Sequence, residues 1–235
     1  MNRALLMRAD REWVQASGIE AMLARLGFTV STEPEKALAE PRRVRLVVEH
    51  RLSVEFGIAS MPTGIFPLPA ETLRFAVVPH QAQVVGALPG FHATLSLPID
   101  ECAFVDALAT CRYIAISAHE RDSLHTRIGE LACDDQAVAR QLVRLLIDTN
   151  ASTLAALRDA FSTRSWDAVG RGVHRIAGSA RMLDCPGLLA LLSRLEGAAR
   201  AHQVELARPL LQVIVNTIDS LDVSLQKLLD AASTF

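Results

Sequence analysis

The stretch Ser165-Trp166-Asp167-Ala168-Val169-Gly170-Arg171-Gly172-Val173-His174-Arg175-Ile176-Ala177-Gly178-Ser179-Ala180-Arg181-Met182-Leu183 reads as one amphipathic helix. Val169, Val173, Ile176, Ala180 and Leu183 recur at alternating spacings of four and three, which aligns them as a single apolar stripe. Ser165 suits the N-cap, and Asp167 is favourable in the first turn. His174 lies roughly 140° from the stripe at about 100° per residue, so its imidazole is expected to face solvent. Gly170, Arg171, Ala177, Gly178 and Arg181 are expected beside it on that face. Each glycine costs a helix interior roughly 1 kcal/mol relative to alanine. One use for such glycines is access, because an uncovered ring edge lets another backbone approach. Close helix packing is another. The arginines offer charge to a phosphoryl group, and imidazole, with an ordinary pKa of about 6.5, is a competent nucleophile near pH 7. An ordinary surface histidine satisfies the same spacing.

Helical periodicity continues on both sides. Asp122–Ala132, Asp134–Phe161 (as one helix or two), Pro186–Ala201 and Val204–Ala232 are the predicted neighbours. Pro186 suits a first helical turn. Short breaks join these segments, which predicts an up-and-down antiparallel bundle. Upstream the grammar changes. Prolines and glycines recur from Pro34 to Pro98, and no proline occurs from Ile99 to Cys185. Strand-like runs at Arg3–Met7, Phe28–Ser31, Arg43–Val48, Leu73–Val78 and Phe91–Leu97 alternate with helical spacings at Arg11–Leu26, Pro34–Ala39 and Phe104–Cys111. This alternation predicts a parallel sheet flanked by helices. Ser53–Pro69 carries no legible pattern. The boundary is placed near Ser117–Arg121, giving domains 1–116 and 117–235.

Composition removes several function classes. The net charge of −2 gives no electrostatic case for nucleic-acid binding. Eight Phe, two Trp and one Tyr give no compositional case for a base-stacking surface. Apolar runs are broken well short of the roughly 20 residues of a membrane span, and the N-terminal apolar stretch is too short for a signal peptide. Cys102, Cys111, Cys133 and Cys185 show no CxxC pairing or zinc spacing, as expected of reduced cysteines in the cytoplasm. No metal site is expected. Gly-x-Ser-x-Gly, HExxH and Walker motifs are absent. Arg42, Arg43 and Arg45 read as a solvated basic edge, and His50, His80, His92, His119, His125 and His202 as surface or hydrogen-bonded histidines.

The string His174-Arg175-Ile176-Ala177-Gly178-Ser179-Ala180 resembles the signature of histidine-containing phosphotransfer (Hpt) domains, in which His is followed by x-[LIV]-K-G-[SA]-[SA]. Trp166-Asp167 precedes it as in that family. Leu191-Leu192-Ser193-Arg194-Leu195-Glu196-Gly197-Ala198-Ala199-Arg200 resembles the family's next helix, L-x-x-x-L-E-x-A-A-R. The resemblance spans roughly residues 121–232. It implies a four-helix bundle with His174 as phosphoacceptor in a two-component phosphorelay. Arg171, Arg175, Ala177, Gly178 and Arg181 then form the phosphoryl-stabilising or docking surface, and Ser179 packs. The implied partner is the receiver domain of a response regulator or hybrid histidine kinase, which supplies Mg²⁺. No cofactor is expected on the Hpt domain itself. Ala177 departs from the family, which usually has lysine there. Arg181 or Arg171 is the expected substitute, and a pseudo-Hpt adaptor that docks without carrying phosphate is the alternative.

The first half resembles a receiver domain more weakly, with a flavodoxin-like α/β fold implied. Asp10 falls where the acidic pair would lie, and His50, or Glu49, where the acceptor aspartate would be. Leu97-Pro98-Ile99 resembles the family's K-P-[IL], with Leu97 in place of lysine. These changes imply a degenerate receiver that binds Mg²⁺ poorly and is not phosphorylated. An unrelated small α/β domain is the other reading of this half.

Overall fold

The apolar runs of the first half form five strands: β1 (Asn2–Met7), β2 (Phe28–Ser31), β3 (Val44–His50), β4 (Leu73–Val78) and β5 (Ala93–Ser96). All pair in parallel, in the order β2-β1-β3-β4-β5. Leu5 lies beside Val47, Val48 beside Phe75, and Val77 beside Leu95. This is the flavodoxin-like order, with its topological switch between β1 and β3. These observations come from a computed structural model, which describes residues 2–51, 68–79 and 86–231. The unpatterned Ser53–Pro69 segment, apart from its last two residues, lies outside the described residues, as does His80. The chain divides into two compact units, Met1–Tyr113 and Ile114–Phe235.

Every residue of β3 is buried, as a central strand covered on both faces requires. This corrects the expectation for Arg45. Its side chain is buried in β3 and ion-paired with Glu71, whereas Arg42 and Arg43 are exposed. The helix expected over Arg11–Leu26 is two helices, α1 (Arg11–Ser17) and α2 (Ile19–Arg25). Gly18 separates them at φ 64°, a left-handed conformation that glycine adopts without steric cost. Helices α3 (Pro34–Leu38) and α4 (Glu101–Thr110) follow. Phe104 of α4 packs edge-on against Phe75 of β4, with ring centroids 5.5 Å apart.

The second unit is helical throughout its described residues: α5 (Ala118–Leu131), α6 (Gln136–Ser162), α7 (Trp166–Met182), α8 (Pro186–Arg200) and α9 (Val204–Ala231). Helix α5 starts earlier than expected because Ser117 and Glu120 form a reciprocal capping box. The Glu120 carboxylate accepts from Ser117 N at 2.6 Å, and Ser117 Oγ accepts from Glu120 N at 3.2 Å. Helices α6, α7, α8 and α9 pack consecutively, and α9 closes back on α6, while α5 lies against α6 and α9. The α7 stripe of Val169, Val173, Ile176 and Ala180 is buried in this ring, together with Leu183 at the helix end. Gly172 has a packing role of its own: a Cβ there would stand 3.1 Å from Leu157 Cδ1 on α6.

Candidate functional site

Helix α7 turns His174 to solvent, opposite its buried stripe. The imidazole lines an open groove of about 860 Å³ between α7, α8 and the turn after α8. Trp166, Asp167, Gly170, Arg171 and Arg175 line it from α7, Glu196, Ala199 and Arg200 from α8, and His202 from the turn. Three arginines thus share the groove with the imidazole. Arg171 lies one turn before it and Arg175 beside it, both exposed. Arg200 reaches in from the neighbouring helix and pairs with Glu196 at 2.5 Å. The groove end is built from aromatic rings. Phe161 meets Trp166 edge-to-face at 5.7 Å, and Trp166 meets His202 at 5.8 Å. This packing, rather than a side-chain cap, starts α7: Ser165 holds the N-cap position but makes no capping hydrogen bond.

The structure separates residues that the wheel grouped together. Ala177 is buried, at 6% exposure, and cannot touch a group on the open face. It falls about 40° from Val173 on the wheel, and α7 is sandwiched between α6 and α8, so its buried arc is wider than one stripe. Ser179 is buried for the same reason. Arg181 is exposed but does not line the groove; Arg171 does. Gly170 and Gly178 have open space where a Cβ would stand, so internal packing does not require glycine at either position. Gly178 lies outside the groove lining. Glu196, Arg200 and His202 were not assigned as site residues by the sequence reading. The first two stood in the E-x-A-A-R string of the next helix. His202 had no signal of its own.

The β1/β3 switch point of the first unit is filled by its own side chains. Asp10 caps α1, accepting from Trp13 N at 2.7 Å. Glu49 has a side chain 1% exposed, and its Oε1 pairs with Arg51 Nε at 3.1 Å and with Arg8 at 3.4 Å. His50 stacks on Trp13, with ring centroids 4.5 Å apart. Burial holds the His50 imidazole below its ordinary pKa, against the opposing pull of Asp10 and of the hydrogen bond the ring donates to the Arg8 backbone carbonyl. Leu97 precedes a cis Pro98 and brings no charge. A receiver's Mg²⁺ needs free carboxylate oxygens. Here Glu49 Oε1 is committed to two arginines and Asp10 Oδ1 to a helix cap, while Glu49 Oε2 is buried without a hydrogen-bond partner. Among the described residues, no cluster of three His, Cys, Asp or Glu side chains is placed to hold a metal. The four cysteines are unpaired with one another. Burial and the nearby Glu120 and Asp184 push the Cys185 thiol up to about 12, which leaves it inert.

No described helix is long and apolar enough to cross a membrane. Comparison with curated proteins and with solved structures found no match. One family model does match: that of the Hpt domain, over residues 141–234, from the second turn of α6 through α9. Hpt domains take part in two-component phosphorelays, where they interact with receiver domains. The match lies within the helical unit, and a flavodoxin-like α/β region precedes it.

Proposed function

We propose that His174 carries a phosphoryl group between receiver aspartates. The observation that supports this best is the groove itself: an exposed imidazole that shares it with Arg171, Arg175 and Arg200 within the Hpt match. A ring nitrogen of neutral His174 attacks the phosphorus of a receiver's acyl phosphate, and the electron pair of the breaking P–O bond returns to the aspartate. The arginines balance charge on the phosphoryl oxygens. Mg²⁺ belongs to the partner receiver, which can be that of a response regulator or a hybrid kinase. No ATP-dependent step is assigned to this chain, and the relay is placed in the cytoplasm. Gly178 and Arg181, further along α7, form the edge on which the receiver docks. Within domain limits of 1–116 and 117–235, the first domain acts as a degenerate receiver that docks or regulates rather than accepting phosphate.

Incubation of the full chain with a phosphorylated receiver, followed by detection of acid-labile phosphate, tests this reading. Label is expected on wild type and absent from His174→Gln; equal labelling of both would sink it. A second reading, a non-catalytic adaptor, draws on Ala177, which is buried where the family usually places lysine. It predicts receiver binding that survives loss of His174, with no label transferred at all.

A further inference from the structure

Among the described residues, five large apolar side chains are exposed, and all belong to the helical unit: Leu131, Val138, Leu145, Met182 and Val223. Val138 and Leu145, with half-buried Leu142 between them, repeat at spacings of four and three. They form a second stripe on α6, roughly 110° round the helix from the buried Val143, Leu146, Leu154 and Leu157. Helix α7 runs antiparallel beside α6, and Gly172 standing against Leu157 fixes the register. At 1.5 Å per residue that register sets Met182 level with about residue 147, within a turn of Leu145. On α7, His174, Gly178 and Met182 are successive steps of four, each swinging about 40° toward the α6 side where Gly172 packs. Both strips lie outside the buried stripes, so they flank the α6–α7 seam together. The end of α5 joins them: Arg127 Nε donates to Met182 O at 2.9 Å, and Leu131 follows Arg127 by one turn. A Cβ at Gly178 would meet nothing within 4 Å, so no side chain covers the step between His174 and Met182.

We propose that Leu131, Val138, Leu142, Leu145 and Met182 form the apolar anchor on which a receiver domain docks, and that this patch sets which receiver the chain accepts. The proposal rests on the receiver-docking part of the proposed function and adds α5 and α6 to the α7 edge. A receiver whose aspartate reaches His174 has to cover the outer face of α7. Leu145 lies about 15 Å along the helix axis from His174, inside the footprint of an interface that buries roughly 800 Å² per partner. The partner is therefore a receiver with an apolar surface beside its phospho-aspartate. Burial of the patch supplies binding. A receiver with a charged side chain there is refused, because that charge would be desolvated without a partner. His174 and the groove arginines keep the chemistry.

The probes are receiver domains of the same organism, with and without phosphate on the aspartate, titrated against the full chain. Receiver affinity, and the KM and kcat of label transfer, are measured for wild type, Leu145→Asp, Met182→Asp and Val223→Asp. Leu145 and Val223 are 61% and 57% exposed, so neither substitution disturbs a packed core, and Val223, on α9, serves as the control. Leu145→Asp and Met182→Asp are expected to weaken binding and raise KM roughly tenfold or more, with kcat unchanged. Val223→Asp is expected to match wild type. Equal affinity in Leu145→Asp and Val223→Asp overturns the proposal. So does a wild-type dimer in sedimentation that Leu145→Asp dissociates without loss of receiver affinity, because a second copy then owns the patch. Patch-dependent binding with no label transferred supports the docking surface and overturns only the carrier reading of His174. Failure of every receiver to bind wild type overturns both.

Discussion

Arg200 and Glu196 are paired at 2.5 Å one turn apart on α8, and both line the groove that holds His174. The Arg200 side chain is 77% exposed, so the pair adds little to stability. Its effect is to orient the guanidinium on the side of the groove that α7 does not reach. Arg200→Ala is expected to lower the rate of label transfer to His174 by roughly tenfold, the lower range for one charge-assisted hydrogen bond. Glu196→Ala should change the unfolding free energy by less than about 1 kcal/mol. Transfer kinetics and thermal melts of the two variants check both statements. An unchanged rate in Arg200→Ala would remove Arg200 from the phosphoryl-binding set.

Gly172 and Gly178 of α7 have different reasons to be there. A Cβ at Gly178 meets nothing within 4 Å, whereas one at Gly172 meets Leu157 at 3.1 Å. Gly178→Ala is therefore expected to raise stability by up to about 1 kcal/mol, the helix-propensity difference. Gly172→Ala gains the same propensity but crowds a buried leucine, and should be less stable than Gly178→Ala by about 1–3 kcal/mol. Chemical denaturation followed by far-UV circular dichroism gives the ranking. If Gly178→Ala also slows transfer, its glycine serves the incoming receiver.

The bundle was legible because its periodicities are long and its breaks are marked by Cys185-Pro186 and Arg200–Gln203. His174 was legible through the wheel and the signature string. The wheel failed at Ala177 because it treats a helix as having one buried stripe, and α7 is packed on two sides. Arg200 and His202 come from elements other than α7, and a single-helix pattern cannot say which neighbouring side chains will share its groove. In the first unit, strand positions followed from the apolar runs. Gly18 was passed over because the apolar spacing continues across it, and Ser117-x-x-Glu120 because the apolar run behind it is weak. Arg45 misled because a charged residue within a buried strand is revealed only by its partner, Glu71.

Glu49 holds the β1/β3 crevice together. Its buried carboxylate pairs with Arg51, whose side chain is 12% exposed. Removing the carboxylate leaves that guanidinium in a site with little water. Glu49→Ala is expected to destabilise the first unit by about 2–3 kcal/mol, somewhat less than breaking a fully buried pair because Arg8 is half exposed. Hydrogen exchange of β1 and β3 amides measures this. The α7 and α8 amides serve as the internal reference, since the lesion lies in the other unit. Equal loss of protection in both would contradict the assignment.

Asp222 gives the helical unit a pH dependence whose sign is fixed by its surroundings. Asn150 Nδ2 donates to its Oδ1 at 2.8 Å across the α6–α9 seam. Burial raises the carboxyl from 3.8 to about 6, with Asp219 adding to the rise and the Asn150 hydrogen bond opposing it. The folded state therefore binds this proton more tightly than the unfolded chain does. Its stabilising effect is complete below about pH 4 and is lost as pH rises through about 6. Because the group is only partly buried, solvent screening reduces the effect to about 1 kcal/mol. Asp222→Asn keeps an acceptor for Asn150 and removes the titration. It is expected to be more stable than wild type at pH 7.5, with the difference shrinking to nothing near pH 4. Urea titrations across that range, read as the difference between the two proteins, cancel the contributions of every other carboxylate. A constant difference at all pH values would show that Asp222 does not titrate in this window.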